Sequence, residues 1–437
     1  MEHTYNFFKK ASLKTIDFIK NPAVFVYLLS AILITLPLNF AFGSITCILF
    51  ILFSFSSVHK IKFAYNSSLL LLITFYFLMV ISLFWTRDLK LTLGGLKKEV
   101  LFLLVPLAFL FIPKLGKESV YKVFRLFSSS MVFYAIYYFL KAIFRYSKSG
   151  DIMVFFYHEL VTKELNAIYV SVFASFALFY FIALDIKKIK EKIAIVLLFV
   201  LVVLLSSKNI LAVDLLLILI YYFFFSNSTK RQKGIIVTVF STIMIVAVLL
   251  VPKIRDRFLI EYQTIYTDNS INTSKETEDQ VNTISLNEAW NKERFEHNDF
   301  FSGTALRLYQ IRIFKELLYE ENILFTGYGL EASQEKIREK AKQHNLYPDY
   351  GTFNFHNQYV QTFAELGIFG LLVLLLLLFI NLKNALQNKD FIHIVFAVTM
   401  IMLFLTESFF CRQRGVIFFI TLYCMLNTIN NPKKLKI

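Results

Sequence analysis

Long apolar runs alternate with short, mostly basic polar connections, and one extended polar stretch, 252–355, interrupts them. A helix needs ~20 apolar residues to cross a hydrocarbon core ~30 Å thick. The segments 24–40, 42–58, 67–85, 99–113, 124–144, 166–184, 193–206, 209–226, 235–251, 359–381, 391–409 and 415–430 approach that length. The pattern predicts an all-α polytopic membrane protein with roughly twelve transmembrane helices. About nine spans fall in residues 1–251, one large loop fills 252–355, and about three spans fall in 356–437. Segments 193–206 and 209–226 meet at a tight turn, Ser206-Ser207-Lys208-Asn209, and form either two spans or one re-entrant hairpin.

Within the long loop the periodicity changes. Stretches 286–296, 305–319 and 330–344 carry helical spacing; in the middle one Leu306, Ile313, Leu317 and Leu318 recur every three to four residues or so. Gly327 and Gly329 break the pattern just after it, and 264–283 reads as a polar, flexible stretch. The loop is therefore expected to be a small domain with short helices.

Charge orients the chain. The connections that lie inside when the N-terminus is cytoplasmic carry roughly twice the Lys and Arg of the short outside ones, which puts both termini inside and the long loop outside. Residues 1–20 are polar and amphipathic and lack the apolar core of a signal peptide. A net charge of +15 raises the question of nucleic acid, but the basic residues sit in turns that face lipid headgroups, so membrane lipids are the expected partners and nucleic acid is not. The composition agrees: 57% of the 437 residues are apolar and 50 are phenylalanine, well above the ~45–50% apolar share of an ordinary soluble domain. Cys47, Cys411 and Cys424 lie in or beside apolar segments and have no metal-type spacing.

The most informative residues close the loop. His356-Asn357 is followed after nine residues by Gly367-Ile368-Phe369-Gly370 and then by a Leu-rich span. An imidazole thus sits at the outer mouth of a membrane helix whose glycines permit close packing. The plain alternative is a helix-capping pair ahead of a packing face. Three carboxylates fall inside apolar segments, Asp214, Glu365 and Glu407. Because a charge at mid-membrane costs at least ~2.5–3.5 kcal/mol, each needs a partner. Arg412 and Arg414 follow Glu407 closely, and Glu365 and Asp214 are candidates to orient a nearby cation.

The His-Asn, nine-residue, Gly-x-x-Gly pattern after a large outward loop resembles the bacterial O-antigen ligase and O-antigen polymerase superfamily. Arg307, opening a helix that ends in Gly327-Tyr328-Gly329, is similar to an Arg and Gly-x-Gly pattern of that family, and Ser207-Lys208 resembles its Ser-Arg turn with Lys in place of Arg. The stretch 82–88 is a weaker likeness. The resemblance implies transfer of a glycan from an undecaprenyl diphosphate to an acceptor hydroxyl at the periplasmic face of the bacterial inner membrane. The implied acceptor is lipid A-core or another glycan, and a polymerase joining two lipid-linked repeats would use the same donor chemistry.

The residues suit that chemistry. The donor's diphosphate must be neutralised, and cations do so through charge-assisted hydrogen bonds; Arg307 and Lys208 are the candidates, with Arg312 a further possibility. An imidazole titrates near neutrality and suits His356 as general base. Asn357, Glu365 and Asp214 are candidate supporting residues, and Gly327, Gly329, Gly367 and Gly370 are the motif glycines. No metal and no cofactor are expected, and direct displacement would invert the anomeric centre. A polysaccharide flippase or transporter is the alternative of another class, though related halves and paired helix breaks are not evident in the sequence.

Overall fold

A computed structural model describes residues 21–56, 65–161, 165–250, 252–266, 270–273 and 280–429. The segment 1–20 and parts of 264–283 lie outside these. A helix occupies each of the apolar segments. In chain order they are α1 (Pro22–Ile34), α2 (Phe40–Phe55), α3 (Ser67–Ile81), the amphipathic α4 (Leu89–Glu99), α5 (Leu101–Leu110), α6 (Lys117–Ser149), α7 (Ala167–Ile182), α8 (Ile189–Leu205), α9 (Lys208–Ile220) and α10 (Lys230–Leu250). After the loop come α15 (Gln358–Asn388), α16 (Phe391–Leu403) and α17 (Gln413–Thr428), the numbers between belonging to the loop. Among the described residues four helical stretches, Ser67–Phe84, Lys117–Ser149, Lys208–Phe225 and Gln358–Asn388, are long and apolar enough to cross a bilayer.

Asn side chains start several of these helices. Asn21, Asn39, Asn66, Asn166 and Asn357 each accept a hydrogen bond from a first-turn N–H, which satisfies a donor that no helical carbonyl can reach. α8 ends at Ser206, which takes the left-handed conformation with φ 44°, and α9 begins two residues later. Lys208 and Asn209 therefore form the first turn of α9. Phenylalanines pack the interior edge to face: Phe102 meets Phe410 at 5.0 Å, and Phe410 meets Phe419 at 5.0 Å. Those contacts sink the turn between α16 and α17 into the bundle, with Phe409 and Phe410 buried.

The loop holds α11 (Pro252–Tyr266), α12 (Leu286–Asn291), α13 (Gly303–Glu320) and α14 (Gln334–Gln343). It also holds a small sheet of β1 (Ser270–Thr273), β2 (Gln280–Thr283) and β3 (Asp299–Phe300), β1 antiparallel and β3 parallel to β2. Two expectations change here. Helix α11 runs into the stretch read as a flexible linker, and the fold is not purely helical. β2 alternates Val281 and Thr283 with polar residues over four positions, too short a run to stand out from a polar background. Tyr309, Phe295, Phe301, Ile313, Phe314, Leu317, Tyr328 and Phe355 form a separate core for this layer.

Main chain fastens the layer to the bundle. α15 is kinked at Gly367, whose φ of 66° and ψ of −167° are not helical. The carbonyls that the kink leaves open are taken by the Gly-Tyr-Gly stretch: the N–H groups of Tyr328 and Gly329 donate to Ala364 and Glu365 at 2.8 and 2.9 Å. Ile368 N–H donates in turn to Leu324 at 2.8 Å. A Cβ on Gly327 would collide with the Glu365 carbonyl, and one on Gly367 with the Phe325 carbonyl. The residues 82–88 join the same contact, where Trp85 Nε1 donates to Thr326 at 2.7 Å and Arg87 N–H to Tyr328 at 3.0 Å.

Candidate active site

The buried turn between α16 and α17 is where the candidate residues converge. Asn357 does what a capping residue does: its Oδ1 accepts from Tyr359 and Val360 N–H, while its Nδ2 donates to Leu405 at 3.2 Å and its N–H to Ser408 Oγ at 3.1 Å. This ties the start of α15 to the turn. His356 precedes it in the left-handed region, φ 47°, with its N–H held by Asn354 Oδ1 at 2.9 Å. The ring packs against Phe353, 5.6 Å between centroids, and Nδ1 lies 3.8 Å from Glu407 Oε2. Glu407 thus faces His356, where the sequence had suggested Arg412 or Arg414. Arg414 instead donates to Leu38 O at 2.7 Å.

Arg307 reaches the same turn from α13. Ser302 caps that helix, which puts Arg307 in its second turn; Nε donates to Thr406 O and Nη1 to Gly303 O, both at 2.8 Å. Thr406 also joins α9, because Asn209 Nδ2 donates to its Oγ1 at 2.6 Å and to Met402 O at 3.1 Å. Beside Asn209, Lys208 Nζ is 2.8 Å from Glu261 Oε1 on α11. Glu261 also accepts from Ser302 Oγ at 3.2 Å and Thr304 N–H at 3.3 Å. Burial pushes its carboxyl up, but the bonds from Lys208, Thr304 and Ser302 outweigh that and hold it below the usual carboxylate range.

These groups surround a cavity of about 550 Å³, lined by Lys208, Arg257, Arg307, Glu261, Thr304 and Thr406 among others. Among the described lining residues, three cations against one carboxylate leave it electropositive. Arg257, on α11, donates to Ser206 Oγ at 3.0 Å and stacks over the Tyr157 ring at 3.8 Å. Sequence reasoning passed over both Arg257 and Glu261, although their four-residue spacing puts them on one face of a helix.

Other candidates lie elsewhere. His356 and Asn357 do not line the cavity; they stand behind Glu407, next in sequence to the lining residue Thr406. Asp214, proposed to support Lys208 or Arg307, instead accepts from Ser175 Oγ on α7. It follows Lys208 by six residues on α9, about 9 Å along the axis. Glu365 accepts from Gln361 Nε2 at 2.6 Å and lines a separate polar pocket with Glu99 and Glu331. Lys208 takes its carboxylate from Glu261. Arg312 is a brace: Nε pairs with Glu316 at 2.8 Å and Nη1 donates to Ala289 and Lys292 carbonyls, locking α12 against α13. Gly327, Gly329 and Gly367 serve the joint between layer and bundle, and a Cβ on Gly370 would strike Leu366 one turn back.

Residues 193–375 match the family model described as O-Antigen ligase. This stretch is similar to an O-antigen ligase domain. No curated protein matches the chain. The matched stretch opens in α8 and closes inside α15, so it contains Lys208, Arg257, Glu261, Arg307, His356 and the four motif glycines. Thr406 and Glu407, which link those residues, lie beyond it. The long apolar helices and this match support a multi-pass membrane protein.

Proposed function

We propose that the chain transfers a glycan from an undecaprenyl diphosphate carrier to an acceptor hydroxyl at the periplasmic face of a bacterial inner membrane, with roughly twelve spans carrying the periplasmic layer. The observation that carries this reading is the electropositive cavity formed by Lys208, Arg257 and Arg307 beside the His356–Glu407 pair. The family match supports it, since that family implies a lipid-linked glycan and an acceptor as substrates.

In this mechanism the three cations bind the diphosphate and take up the charge that grows on it as the glycosidic bond breaks. Glu261 positions Lys208. The acceptor oxygen attacks the anomeric carbon from the face opposite the diphosphate, which leaves with the bonding electron pair, so the centre inverts. His356 receives the hydroxyl proton, and the Glu407 carboxylate faces the resulting imidazolium. No metal ion is needed when fixed cations stabilise the leaving group. A polymerase that joins two lipid-linked repeats would use the same groups, the difference lying in the acceptor.

Reconstitution with an undecaprenyl-diphosphate glycan and candidate acceptors tests the reading. The expected result is transfer by the native protein and a loss of about 10²–10⁴ in rate for His356→Ala with undiminished membrane expression. Normal product from His356→Ala would reject the imidazole as base.

A further inference from the structure

A second cavity, about 510 Å³, lies across the α16–α17 turn from the first. Arg412, Arg414, Gln413 and His158 line it together with Tyr169 and Phe40. No carboxylate is among the described lining residues. Arg412 is exposed, and among the described residues no hydrogen bond or ion pair engages its guanidinium. His158 Nδ1 accepts from Ala167 N–H at 3.3 Å, which leaves the ring's proton on Nε2 as a donor. Burial and then the neighbouring Arg257 hold His158 below its ordinary value, so the positive charge here comes from the two arginines.

The two cavities share a thin wall. Tyr157 lines the first and His158 the second; Ile168 lines the first and Tyr169 the second. Thr406 belongs to the first and Cys411 to the second, with Glu407 and its partner His356 at the turn between. Tyr169 stands in this wall, its ring stacked on Phe409 at 4.8 Å and its hydroxyl donating to Phe409 O at 3.2 Å. Phe40, on the lip of the second cavity, opens α2, on which Ile45, Ile48 and Leu52 form an exposed apolar stripe. A ligand that suits both surfaces pairs an anionic head with an apolar tail.

We propose that this second cavity seats the phosphate of the acceptor, a phosphorylated glycolipid whose tail lies along α2 and whose hydroxyl reaches the shared wall. This rests on the transferase reading above. The acceptor oxygen then enters from one cavity and bonds to the anomeric carbon, the carbon–diphosphate bond breaks toward the other, and the proton passes to His356. Either a second undecaprenyl-diphosphate glycan or a monophosphoryl glycolipid without a polyprenyl tail carries the required chemistry.

The test uses the full chain in nanodiscs of uncharged lipid. Equilibrium binding of each of those two probes, and of the monophosphoryl glycolipid after removal of its phosphate, is compared between the native protein, Arg412→Gln and Arg412→Lys. At least one phosphorylated probe is expected to bind Arg412→Gln about tenfold more weakly, with partial recovery in Arg412→Lys. The probe so affected identifies the acceptor. In transfer assays the acceptor KM is expected to rise about tenfold in Arg412→Gln while the donor KM stays unchanged. Unchanged binding of both probes, or a donor KM that rises in place of the acceptor KM, overturns the proposal. Because Arg412 is exposed, folding survives its replacement. Arg412-dependent binding without any transfer would sink the transferase reading and leave this site standing, whereas transfer with Arg412-independent acceptor binding would do the reverse.

Discussion

Replacing Gly367 by alanine isolates the joint between the loop layer and α15. Two costs combine. At φ 66° and ψ −167° the residue occupies a region essentially closed to side chains, which costs ~1–3 kcal/mol. The added Cβ would also meet the carbonyl of Phe325 and the N of Thr326, and main chain cannot swing away as a side-chain end can. Overpacking of that kind adds about 1–3 kcal/mol. The expected sum is ~2–6 kcal/mol, a large part of the ~5–15 kcal/mol that holds a typical fold. At roughly 1 °C per kcal/mol for a chain of 437 residues, the unfolding midpoint in detergent should fall by about 2–7 °C. Gly94→Ala is the control, because a Cβ there meets nothing within 4 Å. That change sits in the exposed face of α4 and should be neutral or stabilise by about 0.5–1 kcal/mol. Stepwise heating followed by size-exclusion chromatography reads both. A Gly367→Ala protein that melts with the native one would refute the argument that backbone contact, and not glycine's flexibility in the lipid, fixes this residue.

Arg307→Lys keeps the charge but cannot hold both the Thr406 and Gly303 carbonyls while reaching the cavity. A loss of ~10–100-fold in kcat/KM follows from about 1.5–3 kcal/mol per charged hydrogen bond, and near-native kinetics would remove Arg307 from the diphosphate site. Glu261→Gln should raise the donor KM by loosening Lys208; a changed acceptor KM alone would contradict the assignment. The Glu261 carboxyl is held below its unfolded-state value of 4.5, so its contribution to stability is complete above that pH and lost as pH falls through the lower folded-state value. Glu261→Gln should therefore flatten the acid side of a melting-temperature profile in that window, and a profile parallel to the native one argues against the pair. Chelator added to the reconstituted reaction should leave the rate unchanged, and strong inhibition would require a metal in the mechanism.

The apolar runs were plain in the sequence because lipid imposes them: a segment without enough carbon cannot stay in the bilayer. His356, Asn357 and Arg307 stood out because chemistry-bearing side chains at the mouth of a span are few. Thr406 was invisible for the opposite reason. It receives Arg307 through a main-chain carbonyl, and every residue offers the same group. Asp214 and Glu365 were assigned to the cations from depth alone, but side-chain direction decides partners, and direction depends on helix rotation that a sequence without contacts does not reveal. Arg257 and Glu261 were hidden by the polar character of α11, which blends into the loop until Ser206 and Lys208 are seen beneath it.

The seam at Tyr328, Gly329 and Ile368 is made of peptide groups, and peptide groups are the same in every residue. A lineage can therefore rewrite nearly all of the outward-facing surface, to suit sugars of different shape, without disturbing the alignment of base and cations. At the seam itself, the constrained positions are those where a Cβ meets main chain, Gly327 and Gly367. On the proposed function, the contacts that join the two parts and the side chains that meet the substrate are separate sets of atoms.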